Sequence, residues 1–258
     1  AMELEAVNEA FASSIWETVK KAIIKVKNFI KSAVASAKVK LGAFFKRDNA
    51  ALLEKYENQF NAAPGDMKIA KFRTRKSGGD YSTKAIDDLA DTAADKWNDV
   101  YGATPGSTTA EQFTKMASEL DMEKLLGTGN KDKTSFFEKM RDDNFSSESE
   151  ENLSAISGHI TSVLRGYSTS MKALTDAETT LNKTIKTYED SVKVMEQNVK
   201  KMAVGAENKD AYSAQATAAH TIVSKFHRAV GIAVSATTQL IKFDLKQCRK
   251  AFIKAASK

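Results

Sequence analysis

From Leu153 to Met202 apolar residues return every four and then every three positions: Leu153, Ile160, Leu164, Tyr167, Met171, Leu174, Leu181, Ile185, Tyr188, Val192, Met195, Val199 and Met202. Only Ser157 and Glu178 interrupt the seam. A repeat of 3.5 residues held over about seven heptads marks a long helix laid against a partner. A second stripe follows at Tyr212, Ala216, Ala219, Val223, Phe226, Val230, Ala233, Thr237, Ile241, Leu245, Cys248, Phe252 and Ala255. Its smaller residues complement the Leu, Met and Tyr positions of the first stripe. The pattern therefore predicts an antiparallel hairpin, with arms at about 150–202 and 211–257 that are each roughly 70 Å long. Its expected core includes Leu164, Leu174, Leu181, Ile185, Tyr188, Val192, Met195, Val223, Phe226, Val230 and Ile241.

The N-terminal region shows a helical stripe over residues 7–45: Ile15, Val19, Ile23, Val26, Ile30, Ala33, Ala37, Leu41 and Phe44. Ile24, Phe29 and Val39 widen the apolar sector and suit docking against more than one neighbour. Asp48 or Asn49 is placed to cap a short helix that turns Leu52, Leu53, Tyr56 and Phe60 inward before Pro64 and Gly65 end it. Residues 66–75 alternate partially and predict a short extended segment. Ser82 or Thr83 can open a helix to about Tyr101 that buries Ile86, Leu89, Ala93, Trp97 and Val100. Ser107 can open another, carrying Phe113, Met116, Leu120 and Leu125. Ser146 and Ser149 are the candidate caps of the first hairpin arm. The fold class expected is all-α, an elongated helical bundle. It is organised as a helical region at 1–143 and a hairpin at 144–258 that form one cooperative unit.

Composition supports helix nearly throughout, because 258 residues contain only 2 prolines and 12 glycines. The single Cys248 rules out an intramolecular disulfide, and no CxxC or Cys/His cluster with zinc spacing is present. No apolar run reaches the 18 to 20 residues of a spanning helix, and Glu3, Glu5 and Glu9 stand where a signal peptide carries basic residues. Neither a transmembrane segment nor a signal peptide is expected.

Charge is distributed unevenly behind the net +6. Lys20 to Arg47 holds nine basic residues and no acid, Asp142 to Glu151 holds five acids and no base, and Ile241 to Lys258 holds six bases against Asp244. On the first helix Lys20, Lys27, Lys31, Lys38, Lys40, Lys46 and Arg47 form a candidate face. It is either simply solvated or directed at an anionic surface, DNA or membrane.

Catalytic and cofactor signatures do not emerge. Residues 127–134 lack the GxxxxGK[ST] spacing of a phosphate loop and no strand precedes them. His159, His220 and His227 have no carboxylate or cysteine at ligand spacing on their own helices, and Cys248 reads as a small core residue. No metal, cofactor or enzymatic activity is expected.

Phe45, Lys46, Asn49, Leu52, Lys55 and Tyr56, followed by Asp66, Ile69 and Phe72, resemble a pattern of tailed-bacteriophage virion structural proteins, particularly those of large contractile-tailed phages. Phe136 to Arg141, ahead of the heptad stretch, is similar in placement to a second element of that group. Arg141 is followed by Asp142 and Asp143, however, where the group often has Gly. The resemblance covers residues 40 to about 200. It implies a non-enzymatic protein of the head interior, a prohead core component or an internal, ejected protein. Such a protein would be made in the host cytoplasm and work with other virion proteins and DNA. Trimming by a prohead protease is compatible with a chain that starts at Ala1. The alternative is a membrane-active protein similar to α-helical pore-forming toxins, in contact with a membrane without a spanning segment. The heptad seam leaves open whether pairing is internal or between copies of a homo-oligomer.

Overall fold

The computed structural model describes residues 2–127, 135–201 and 206–257, with the side chains of Leu4, Glu5, Asn8, Ala206 and Glu207 left aside. Met202 of the seam, most of the 127–134 loop and most of the hairpin turn lie outside these residues. The fold is an all-α helical bundle with one small two-stranded ladder. Helix α1 spans Met2–Phe44. It runs through a π-helical turn at Phe45–Asn49 into α2, Ala50–Ala62. Strand β1 (Lys68–Phe72), α3 (Lys84–Gly102), α4 (Ala110–Ser118), α5 (Met122–Leu126), α6 (Phe136–Asn144) and β2 (Ser149–Asn152) follow. The C-terminal elements are α7 (Leu153–Leu164), α8 (Tyr167–Lys201) and α9 (Ala206–Ala256).

Every position of the second stripe, Tyr212 to Ala255, is buried. Ile222, Ala229, Val234, Leu240 and Ala251 are buried as well. A helix apolar on most of its circumference must be enclosed by neighbours rather than lean on one partner. Helix α9 is therefore a central element, not merely the second arm of a pair. All eleven core positions expected of the hairpin are buried.

The first arm differs from a single helix. It breaks at Arg165–Gly166, where the Gly166 N–H donates to Val163 O and the Tyr167 N–H to Arg165 O. A Cβ on residue 166 would lie 2.8 Å from Ser162 O and 3.2 Å from Val163 O, so only glycine fits this tight turn. Past the break Tyr167 is 42% exposed rather than in the core. Ser146 and Ser149 cap nothing. Ser149 lies in β2 and donates to Phe72 O, while Ser146 bonds Thr74, and Asn152 holds the N-cap position of α7 without a side-chain bond.

Other boundaries shift for local reasons. The expected segment at 66–75 is extended in part, as β1 pairs antiparallel with β2. The register slips between Ile69 and Phe72, where Lys71 adopts φ 54°, the left-handed region of a bulged residue. Thr109, not Ser107, caps α4, because Thr109 and Gln112 form a reciprocal capping box. Asp48 and Asn49 do not cap α2, since the chain stays helical through them. Ile24 and Val39 of α1 are 55% and 73% exposed, so of the three sector-widening residues only Phe29 finds a ring partner, His227.

The chain clusters into two compact units. The first draws on Ala1–Ser32, Ile86–Lys133 and Glu178–Ile232. Its centre is aromatic: Trp97 lies 4.3 Å from Tyr188, and Tyr188 meets Phe226 edge-on at 5.6 Å. The Tyr188 hydroxyl donates to Ala93 O, which satisfies the polar end of a ring whose burial pushes its ionisation far upward. The second unit draws on Ala33–Ala85, Thr134–Ala177 and Ala233–Lys258. There Phe60 stacks on Phe252 at 4.6 Å, and Phe145 packs edge-on against Phe243.

Candidate functional site

Two arrangements in the second unit gather chemistry-bearing side chains. The first is internal and centres on Asp244 of α9, which is fully buried. One carboxylate oxygen meets His159 Nε2 at 3.2 Å, Gln247 Nε2 at 3.1 Å and Cys248 Sγ at 3.6 Å. The other accepts from the Tyr81 hydroxyl at 3.0 Å and lies 3.7 Å from the Arg75 guanidinium. Arg75 donates in turn to Gly79 O and Asp80 O and sits over the Tyr81 ring. A buried carboxylate is tolerable only when it is paired and hydrogen-bonded, and this one is both.

His159, Asp244 and Cys248 bring one ligand atom each within 4.8 Å of one another, which raises the question of a metal. A thiol must ionise to bind zinc, whereas burial and the neighbouring Asp244 push the Cys248 thiol well up. Arg75 already balances the carboxylate charge, so a divalent ion would add net positive charge to an enclosed site. The arrangement fits a structural network better than a metal centre. The sequence misses it because its members come from α7, α9 and the β1–α3 connection. The sole hint is an acid within a basic, otherwise apolar-striped tail.

The second arrangement is a surface groove of about 550 Å³. Lys40, Ala43, Phe44 and Arg47 line one side, at the i, i+3, i+4 and i+7 positions of one helical face. Lys242, Leu245, Lys246 and Arg249 of α9 line the other with the same spacing. Leu41 and Leu245 form an apolar floor and are each 2% exposed. Arg249 is held in place: its Nη1 donates to Asn49 Oδ1 at 2.7 Å, and its guanidinium lies 5.0 Å from the Phe44 ring centre. Asn49 is itself anchored, because its Nδ2 donates to Leu164 O at 3.0 Å. Asn49 is the last residue of the π-turn, and its buried side chain makes these two bonds instead of capping α2.

Groove cations differ in their pairing. The exposed Arg47 binds the half-buried Asp48, an acid that also lines the groove and whose ionisation is pulled down by that hydrogen bond. Lys40, Lys242 and Lys246 have no acidic partner among the described residues.

The basic face read from the sequence is thus divided. In the first unit Lys20 pairs with Glu196 at 2.9 Å and Lys27 with Glu189 at 2.9 Å, so acids of α8 neutralise that part. Lys38 donates to Thr175 in the second unit, while Lys31 and Lys46 are exposed and are not among the residues that line the groove. Only Lys40 and Arg47 of the seven join the groove, and the three α9 cations complete it. His227 packs against Phe29, and burial with nearby Lys25 lowers its pKa.

No helix among the described residues is long and apolar enough to cross a membrane. Comparison with protein-family models, curated proteins and solved structures finds no match.

Proposed function

We propose that the chain is a non-enzymatic structural or assembly protein of a tailed-bacteriophage virion, placed in the head interior as a core component or internal protein. It works through contacts with other virion proteins and with packaged DNA. The observation that carries the DNA contact is the sorting of cations. Lys20 and Lys27, in the middle of α1, are paired with Glu196 and Glu189 of α8, whereas Lys40, Lys242 and Lys246 are left to converge on one groove. Unneutralised cations brought together from separate helices repel one another, and a polyanion relieves that repulsion while releasing its own counterions.

The non-enzymatic part of the reading draws on the Asp244 network, in which imidazole, thiol and guanidinium groups are all engaged by one fully buried carboxylate. The test is location in the particle. In purified virions the protein is expected inside intact heads, protected from added protease, and released when the DNA is expelled. Finding it only outside the particle, or not at all, overturns the proposal.

A further inference from the structure

The groove is more than a flat basic patch. We propose that it takes an unpaired nucleotide of single-stranded nucleic acid, with phosphates on the flanking cations and the base against Phe44 and the leucine floor. The inference rests on the proposed contact with DNA and narrows it to a form of DNA.

Three features point to this occupant. A volume of about 550 Å³ lies within the roughly 300–1,000 Å³ of pockets that enclose a ligand group, whereas a duplex offers a smooth charged backbone with nothing to insert. The lining sets cations beside apolar surface, with its acid Asp48 tied to Arg47, and so combines the electrostatic track and aromatic platform by which single strands are held. Arg249 is fixed beside Phe44 by Asn49, so one phosphate-binding donor is already oriented before a ligand arrives.

An anionic membrane would also satisfy the cations, but it does not suit the floor. Insertion into a bilayer needs apolar side chains that protrude. Leu41 and Leu245 are each 2% exposed, and Phe44 is half-buried. A ligand must come down to them, and a base on a flexible strand can do so.

The experiment measures fluorescence anisotropy of a labelled ten-nucleotide oligothymidine, its duplex with oligoadenosine, and vesicles containing phosphatidylserine, each with the full chain at low and moderate salt. The single strand is expected to bind at least about tenfold tighter than the duplex, with affinity falling as salt rises. Charge reversal by Lys242→Glu with Lys246→Glu removes binding of both forms. Phe44→Leu weakens the single strand about five- to a hundredfold, the range for loss of one stacked base, and leaves the duplex unchanged. Because Phe44→Leu could also disturb packing, competition on the unaltered protein supplies a second readout: thymidine monophosphate displaces the strand at lower concentration than inorganic phosphate. Equal affinity for strand and duplex, or equal competition by nucleotide and phosphate, overturns nucleotide insertion and leaves the DNA contact standing. No binding of either nucleic acid overturns the groove as a DNA site. Vesicle binding that is lost in the same lysine variants, without strand binding, assigns the groove to lipid. The location of the protein in the particle is decided independently of all these outcomes.

Discussion

Asn49 and Arg249 lie 200 residues apart and share a 2.7 Å hydrogen bond, and the buried Asn49 also donates to Leu164 O. One amide therefore joins the π-turn after α1 to the end of α7 and to the groove face of α9. Asn49→Ala removes both bonds and leaves a carbonyl without its donor, which costs about 1–3 kcal/mol. The urea midpoint should fall at unchanged slope. A variant with the midpoint of the unaltered protein would show that the amide is not the link.

Asp244 gives the larger effect. Asp244→Leu strands the Arg75 guanidinium in an enclosed site, and breaking a buried pair from one side costs about 3–5 kcal/mol. Replacing both partners, Asp244→Leu with Arg75→Leu, removes the charge from both sides and should recover most of that loss. Chemical denaturation of the two single variants and the double variant forms a closed cycle. Purely additive losses would mean that the two charges do not depend on each other.

These two links mark where sequence reasoning reaches its limit. The thirteen stripe positions of α9 are all buried because a 3.5-residue repeat reports burial directly, whatever the partner. The break after Leu164 is invisible to the same repeat, since Leu164 and Tyr167 keep the seam spacing across it while Gly166 bends the chain. Strand β2 reads Ser-Glu-Glu-Asn and carries no β-forming residue; its backbone pairs because β1 offers an open edge. The groove was half legible. Its α1 cations stand in an acid-free run, but the part played by Lys242, Lys246 and Arg249 depends on which face of α9 meets the π-turn, a fact of packing rather than of composition.

Gly166 and Gly158 make a paired test within and just beyond α7. A methyl group at residue 166 meets the backbone oxygens of Ser162 and Val163, which cannot swing away as a side-chain tip could. Gly166→Ala should destabilise by about 1–3 kcal/mol through overpacking. Gly158 is exposed inside the same helix, with open space where its Cβ would be, so Gly158→Ala should instead stabilise by about 0.5–1 kcal/mol. Thermal melting with opposite shifts would support the break at residue 166. Stabilisation by both changes would mean that α7 and α8 run on as one helix.

Cys248 and Tyr81 tie stability to alkaline pH. Burial, chiefly, and then the charge of Asp244 raise both groups well above their ordinary values of 9.0 and 10.0. In the unfolded chain the thiol and phenol release protons near those ordinary values, while the folded protein still holds them. The unfolded state then binds fewer protons than the native state, and stability falls as pH rises through about 9 and beyond. Cys248→Ala removes the earlier of the two titrations, so its urea midpoint should decline less between pH 8 and 9.5 than that of the unaltered protein. The same protection is expected in reactivity, because the thiolate is the nucleophile: Cys248 should resist a thiol reagent at pH 8 until the chain is unfolded in urea. Rapid labelling of the native protein would show that the thiol is neither enclosed nor held protonated, and identical pH slopes for the two proteins would remove Cys248 from the alkaline transition.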